Sequence, residues 1–169
     1  RLLAMNIRCR LMAEPSQGEW GLKIRRMLSG EETPPAGEQL RLFLMDREDD
    51  ARRNISPALE TGVSVIMDRY YFSNAAYQGA MGLAPEDIIA ENRKRNFPEP
   101  SRVYLIDIDP DTALERIALR SSSRRDIFEK REFLHRVREI LLSVADERFV
   151  VIDGNSPAEE ISARILLDM

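Results

Sequence analysis

Hydrogen-bonding side chains crowd the stretch "DRYYFSNAAYQGA" at positions 68–80, directly after the apolar run 63–67. Asp68 could organise a hard cation such as Mg²⁺ through water, because such a cation takes oxygen ligands. Arg69 offers a planar fork of donors that suits a phosphate group. The alternative interpretation is a plain Asp–Arg ion pair at the surface. The stretch therefore raises the hypothesis of an anion site beside a strand end.

Three more polar side chains of the same stretch are spaced for one face of a helix. Asn74, Tyr77 and Gln78 stand at positions i, i+3 and i+4, which share a face if the segment is helical. Such a face could read the edge of a base or a sugar. A solvated helix face has the same spacing, so the spacing alone does not decide between the two.

A further aromatic and cationic pair occurs in "RLFLMDRED", positions 41–49. Phe43 and Arg47 are one helical turn apart, which suits stacking on a base and donating a hydrogen bond to its carbonyl group. In the alternative interpretation, Phe43 belongs to the core and Arg47 pairs with Asp46 or Asp50.

The stretch "ERIALRSSSRRD", positions 115–126, is basic. Its arginines recur every four residues, with one more beside the last: Arg116, Arg120, Arg124 and Arg125. Like charges at this spacing repel each other if the helix continues, so the cluster favours an anion such as a triphosphate. The serines among them predict a lid segment at about 120–130. The alternative is a solvated charged loop.

Alternating strands and helices are predicted to position these residues. Apolar runs predict strands at 8–13, 63–67, 103–108 and 149–152, and the last three runs are continuous, as in parallel strands covered on both faces. Helices are predicted at 21–28, 38–59, 111–119, 133–144 and 157–167. This alternation predicts a single α/β domain over residues 1–169 with a doubly wound parallel sheet.

Polar loops follow three of the predicted strands, at the sheet edge where ligands bind in such folds. The loops are Glu14-Pro15-Ser16, Asp68-Arg69-Tyr70 and Asp153-Gly154-Asn155. We therefore expect one site at the carboxyl ends of the strands.

Composition excludes several classes of protein. A net charge of −4 is wrong for a protein that wraps nucleic acid, and no run of about eighteen apolar residues predicts a membrane span. The single Cys9 excludes an internal disulfide and fits a reducing compartment, so a cytoplasmic location is expected. The single His135 excludes a Ser-His-Asp triad and a histidine-based metal cluster.

Taken together, these motifs resemble the thymidylate kinase family, of the nucleoside monophosphate kinase branch of P-loop proteins. "DRYYFSNAAYQGA" looks like that family's Asp-Arg-Tyr/His motif with its following Ser-x-x-Ala-Tyr-Gln-Gly. "EPSQGEWGLKIRRML" is similar to its Glu-Pro-Gly-Gly loop and helix, and "LFLMDRED" to its base-stacking helix. "RSSSRRDIFEKREFLHRVRE" is similar to its arginine-rich lid, and "VVIDGNSP" to its adenine-side loop.

The resemblance implies a role for each motif. Arg69 would hold the dTMP phosphate and Asp68 would organise Mg²⁺ through water. Phe43 would stack on thymine. The edge of the base would be bonded by Arg47, Asn74 and Gln78. Tyr77 would crowd the 2′ position of the sugar. The acceptor side of the site would be lined by Glu14 and Pro15. On the ATP side, the implied residues are Arg116, Arg120, Gly154 and Asn155, and Arg120, Arg124 and Arg125 would neutralise the transferring phosphoryl group.

The sequence also departs from the family pattern. No G-x-x-x-x-G-K-[ST] phosphate loop occurs in the 169 residues, and the opening "RLLAMN" resembles the helix that follows that loop. We therefore expect a sheet of about five strands, of which the first strand and the phosphate loop lie outside these residues, and we expect residues near positions 6–7 to be missing. Ala13 and Ile127 stand where the family commonly has Arg.

The implied activity is ATP-dependent phosphorylation of dTMP to dTDP in pyrimidine deoxynucleotide synthesis, with Mg²⁺. We expect a homodimer with dTMP and ATP as ligands and with no nucleic-acid or membrane partner. Two alternatives stay open: a deoxynucleoside kinase, and a non-catalytic nucleotide-binding regulatory protein that lacks the phosphate loop.

Overall fold

The fold is described from a computed structural model over residues 6–120 and 131–169, without the side chains of residues 117–120. Four parallel strands lie where the sequence predicts them, to within a residue at each end. They are β1 (Cys9–Ala13), β2 (Ser64–Asp68), β3 (Val103–Asp107) and β4 (Phe149–Asp153). The predicted α/β class with parallel strands is therefore confirmed.

The strands form two sheets of two strands each. β1 pairs with β2 in a register that runs from Cys9 opposite Ser64 to Ala13 opposite Asp68. β3 pairs with β4, with Val103 opposite Phe149. The sequence predicted one continuous sheet. Within the described residues, however, no ladder hydrogen bonds join the two pairs. Both pairs carry their polar loops at the carboxyl ends.

Helices connect the strands, as predicted. They are α1 (Glu19–Leu28), α2 (Ala36–Asp50), α3 (Ser56–Glu60), α4 (Tyr71–Ala80), α5 (Pro85–Lys94), α6 (Pro110–Arg120), α7 (Arg131–Ser143) and α8 (Ala158–Asp168). The predicted helix 38–59 is α2 and α3 joined by a π-helical turn, Ala51–Ile55. Among the described residues, no helix is long and apolar enough to cross a membrane.

Helix α5 was not predicted, although its sequence carries helix signals at both ends. Pro85 occupies the first turn, where its missing N–H would be unpaired in any case. Glu86 and Asp87 lie in the first turn and Arg93 and Lys94 in the last, so the charges complement the helix dipole.

Helix α4 lies at the centre of the packing and carries the polar face predicted from its spacing. Ala75 and Ala76 are fully buried, and their small side chains let neighbouring helices approach closely. Ala76, Ala80 and Val137 form a cluster that joins α4 to α7. The polar face of α4 is therefore held on a rigid, packed helix.

The turn from β2 into α4 is tight. Arg69 has a φ of 66°, in the left-handed region that residues other than glycine seldom occupy. Tyr70 is extended and lies directly before Tyr71, the first residue of α4. This turn directs the chain from the strand end into the helix within two residues.

Candidate active site

A cavity of about 180 Å³ opens at the carboxyl ends of β1 and β2. Seven of the eight predicted substrate-binding residues line it: Glu14, Pro15, Phe43, Arg69, Asn74, Tyr77 and Gln78. The other lining residues were not predicted, and they are Leu28, Tyr70 and Ser73. The sequence motifs, up to 64 positions apart along the chain, thus meet around one space.

Arg47 is the eighth predicted residue, and it lies behind the cavity wall with 0% exposure. Its Nε donates to Glu14 Oε1 at 2.8 Å, and its Nη2 donates to the other carboxylate oxygen of Glu14. Nη1 donates to Asn92 Oδ1 and Nη2 to Asn74 Oδ1, both at 2.7 Å. The alternative pairing of Arg47 with Asp46 or Asp50 is wrong, because its salt bridge goes to Glu14.

Asp46, the neighbour of Arg47 on α2, holds the loop that carries Glu14. Its two carboxylate oxygens accept hydrogen bonds from the backbone N–H and the hydroxyl of Ser16, at 2.7 and 2.6 Å. From the opposite side, Arg25 donates to the backbone carbonyls of Pro15 and Ser16 at 2.6 and 2.5 Å. The cavity wall at Glu14 and Pro15 is therefore fixed by α1 and α2 together.

Gly21 permits this close approach of α1 to the loop. A Cβ atom at position 21 would lie 1.9 Å from the carbonyl oxygen of Ser16, far inside van der Waals contact. Only glycine fits here, because the obstructing atom belongs to the backbone.

Two aromatic contacts position the exposed side of the cavity. The Arg69 guanidinium carbon lies 5.2 Å from the centroid of the Tyr77 ring, within the range of a cation–π interaction. The Tyr77 ring packs in turn against Phe133 of α7, with 6.0 Å between centroids. Asp68, which is exposed, lies beside them at the end of β2, and its backbone carbonyl accepts from the Glu14 N–H at 3.1 Å.

Burial raises the pKa of two groups at the cavity. Desolvation raises the pKa of the Glu14 carboxyl to about 6, although the Arg47 charge and hydrogen bonds act in the opposite direction. Desolvation also raises the pKa of the Tyr70 phenol. The Tyr70 hydroxyl is buried and has no hydrogen-bond partner within residues 6–120 and 131–169.

A second group of predicted residues meets at the end of β4. Arg116 Nη1 donates to the backbone carbonyl of Gly154 at 2.9 Å, which joins α6 to the β4 loop. The Gly154 N–H donates to the Asp107 carbonyl at 2.6 Å, and Asn155 bonds Asp153 through its backbone N–H and its side chain. Arg124 and Arg125 lie outside the described residues, as does the side chain of Arg120.

The buried residues Gln39 and Asn92 escaped sequence analysis. Gln39 Oε1 accepts from Gln78 Nε2 at 3.3 Å, and Asn92 accepts from Arg47. Each is a single amide on a helix with no motif around it, so no sequence signal identifies it. Each is connected to the cavity by a hydrogen bond with a residue that is distant along the chain.

Comparison with known proteins agrees with this geometry. The family model described as thymidylate kinase matches residues 1–165. A probable thymidylate kinase of Archaeoglobus fulgidus is 43% identical over 156 residues, which cover 92% of this chain and 76% of that protein. Thymidylate kinases of Leptospira borgpetersenii (38% identical; 88% and 72% covered) and Akkermansia muciniphila (39%; 90% and 72%) are also similar.

The family match extends over nearly the whole chain, and three relatives exceed 30% identity with most of their own length covered. Several of the residues that carry the motif resemblance line the cavity or meet at the end of β4. The chain therefore belongs to the thymidylate kinase family.

Proposed function

We propose that this protein transfers the terminal phosphoryl group of ATP to dTMP and forms dTDP, a step towards dTTP. The observation that carries the proposal is the cavity whose lining includes Glu14, Phe43, Arg69, Asn74 and Tyr77. Membership of the thymidylate kinase family supports the same reaction.

The phosphate of dTMP is proposed to bind at Arg69. This residue is exposed, lines the cavity and follows directly from β2. A guanidinium group bonds a phosphate through two parallel, charge-assisted hydrogen bonds. In phosphoryl transfer, positioning and electrostatic stabilisation provide most of the catalysis, so a fixed acceptor phosphate contributes directly to the rate.

The base is proposed to lie between Phe43 and the amides of Asn74 and Gln78. Phe43 is partly buried and presents a ring to the cavity, while the two amides offer both donors and acceptors. Arg47 already donates four hydrogen bonds to protein side chains, so it would act on the base indirectly, through Asn74. A direct bond from Arg47 to the base would require the loss of one of these four bonds.

The sugar is proposed to lie against Tyr77. A tyrosine ring in this position leaves little room for a 2′-hydroxyl and offers it a poor hydrogen bond, at a cost of about 1–3 kcal/mol. Deoxyribose would therefore be preferred over ribose.

Mg²⁺ fits the chemistry of the residues at the end of β2. Mg²⁺ keeps several waters and is held by one or two carboxylates together with substrate phosphates. Asp68 supplies one exposed carboxylate there, and the described residues hold no group of three His, Cys, Asp or Glu that would form a protein cage. When bound, the ion would neutralise charge on the phosphate oxygens, with Asp68 orienting its waters.

The ATP side is proposed to comprise Arg116, Gly154 and Asn155, with Arg120, Arg124 and Arg125 over the phosphates. Its support is the contact of Arg116 with the Gly154 carbonyl, which joins α6 to the β4 loop. The lid role of residues 120–130 is a proposal that falls largely outside the described residues.

A fifth strand that carries a phosphate loop is proposed to lie between the two strand pairs. Large apolar side chains on three strands remain exposed: Leu11 (79%), Ile106 (48%) and Val151 (43%). Strands of a doubly wound sheet are normally covered on both faces, so these side chains indicate surface that further chain would cover. A homodimer and a cytoplasmic location remain expectations, which sedimentation and cell fractionation would test.

The test is a kinase assay of the full-length protein with MgATP and dTMP, dUMP, dCMP, UMP or thymidine as acceptor. We expect dTMP to react best, dUMP more weakly and the others poorly. Arg69→Ala should lower kcat/KM for dTMP at least about a hundredfold, because it removes a charge-assisted phosphate contact.

Arg102→Ala serves as the control, since Arg102, directly before β3, pairs with Asp168 of α8 at an exposed site. Near-wild-type kinetics in a folded Arg69→Ala protein would contradict the assignment. Preferential phosphorylation of thymidine would instead indicate a deoxynucleoside kinase, and nucleotide binding without product would indicate a regulatory protein.

A further inference from the structure

A chain of side-chain hydrogen bonds runs behind the base-binding wall of the cavity. Arg47 Nη2 donates to Asn74 Oδ1 at 2.7 Å, and Asn74 Nδ2 donates to Gln78 Oε1 at 3.3 Å. Gln78 Nε2 then donates to Gln39 Oε1 at 3.3 Å, and Gln39 Nε2 donates to the Pro34 carbonyl at 2.8 Å. All four side chains are buried.

The donor-to-acceptor direction of this chain of hydrogen bonds is fixed at both ends. The Arg47 guanidinium can only donate, and a backbone carbonyl such as that of Pro34 can only accept. Between these ends, each amide must turn its oxygen towards Arg47 and its NH₂ group towards Pro34. A reversed amide would place two donors or two acceptors face to face in a buried site, which costs about 1–3 kcal/mol for each unsatisfied group.

Asn74 and Gln78 line the cavity, whereas Gln39 is not among the lining residues. Gln39 therefore acts on a ligand only through the amides that it orients. Without Gln39, the NH₂ group of Gln78 would lose its acceptor, and the Gln78 amide could rotate while Asn74 stayed tied to Arg47.

We propose that Gln39 is a positioning residue that fixes the hydrogen-bond direction of Gln78 and Asn74, and thereby selects a thymine-type base over a cytosine-type base. Thymine presents an N3–H donor beside an O4 acceptor, and cytosine presents an N3 acceptor beside an N4 amino donor. Amides of one fixed direction can match only one of these two patterns. The inference rests on the proposed function, since it assumes that the base lies against Asn74 and Gln78.

The experiment compares wild type with Gln39→Met, which keeps the length of the side chain and removes both hydrogen bonds. The kcat/KM ratio of dTMP to dCMP should fall at least about tenfold, through a higher KM for dTMP, while the KM for MgATP stays unchanged. Gln39→Glu should retain most of the ratio, because a neutral carboxyl can accept from Gln78 and donate to Pro34. Ile55→Val, a buried change in a separate cluster, controls for lost stability.

An unchanged ratio in folded Gln39→Met, or an equal fall in Ile55→Val, would overturn the proposal. Side-chain amide exchange measured by NMR on the unliganded protein separates this outcome from failure of the proposed function. If wild type does not phosphorylate dTMP, the proposed function fails, and with it the base selection by Gln39. The orientation of the amides is then judged alone: slow Gln78 NH₂ exchange that becomes fast in Gln39→Met supports it, and unchanged exchange refutes it.

Discussion

The two halves of the described chain handle polar side chains differently. The first half, from β1 to α5, buries an extensive polar set: Glu14, Ser16, Gln39, Asp46, Arg47, Asp50, Asn74, Gln78 and Asn92. In the second half, from β3 to α8, ion pairs such as Arg138–Asp107 and Arg131–Asp111 are partly exposed to solvent. Val137 and Ile152 are its buried large apolar residues within the part of the chain that the structure describes.

The two halves therefore differ in how firmly their polar side chains are held. Buried polar groups must be satisfied, so the first half fixes each side chain in one arrangement before a ligand arrives. Exposed ion pairs contribute little and can rearrange at little cost. The side chains around the cavity are thus held in place before a ligand arrives, whereas the exposed ion pairs of the second half can rearrange.

The largest expected contrast is between two arginines. Arg47→Met leaves the Glu14 carboxylate buried without its partner and should lower the free energy of unfolding by about 3–5 kcal/mol. Arg138→Met removes the half-exposed partner of Asp107 and should cost less than about 1 kcal/mol. Urea unfolding of both variants measures the difference, and equal losses would remove the distinction between the halves.

Two glycines provide the next contrast. Gly21→Ala should destabilise the protein by about 3 kcal/mol, because its Cβ would lie 1.9 Å from the Ser16 carbonyl oxygen. Gly154→Ala meets the Asp107 carbonyl oxygen at 2.8 Å and should cost less, about 1–2 kcal/mol. Gly37→Ala is the control, since nothing lies within 4 Å of its Cβ and alanine favours a helix. Thermal unfolding ranks the three variants, and a larger loss at position 154 would contradict the closer backbone contact at position 21.

The smallest contrast concerns pH. The pKa of Glu14 is about 6 in the folded protein and 4.5 for an unperturbed glutamate, so the folded state binds more protons between these values. Its contribution to stability therefore falls, by about 2 kcal/mol, as the pH rises from 4.5 to 7. Asp107 behaves oppositely: its hydrogen bonds with Arg138 lower its pKa, so its contribution is lost as the pH falls below 3.8.

Unfolding free energies of wild type, Glu14→Gln and Asp107→Asn across pH 3–8 test both directions. Glu14→Gln should remove the decline between pH 4.5 and 7, and Asp107→Asn should reduce the loss below pH 3.8. A decline that survives in Glu14→Gln would show that another buried group causes it, with Asp50 as the next candidate because desolvation also raises its pKa.

Local sequence patterns predicted the four described strands and most of the residues that line the cavity. Apolar runs, three of them continuous, predicted all four described strands, and polar loops at the strand ends pointed to Glu14 and Arg69. The helical spacing of Asn74, Tyr77 and Gln78 proved to be a real face on α4. These are local signals, which a sequence displays directly.

Long-range partners escaped prediction. Arg47 was expected to face the base or to pair with a neighbour on its own helix, yet its salt bridge joins Glu14, 33 residues away. The amide partners Gln39 and Asn92 have no local signature. The division into two strand pairs likewise depends on contacts between distant segments, which periodicity does not encode.

The pairing of β1 with β2 has a consequence for the rate of folding. Cys9 lies opposite Ser64, about 55 residues along the chain, so this parallel ladder forms only after a long loop has closed. Long-range parallel pairing slows folding, because the entropy of closure is lost before the contacts repay it. Two contacts of α2 shorten that loop: the Ser16 hydroxyl donates to Asp46, and Arg47 donates to Glu14. If they form before the strands pair, their loss would slow refolding as well as speed unfolding.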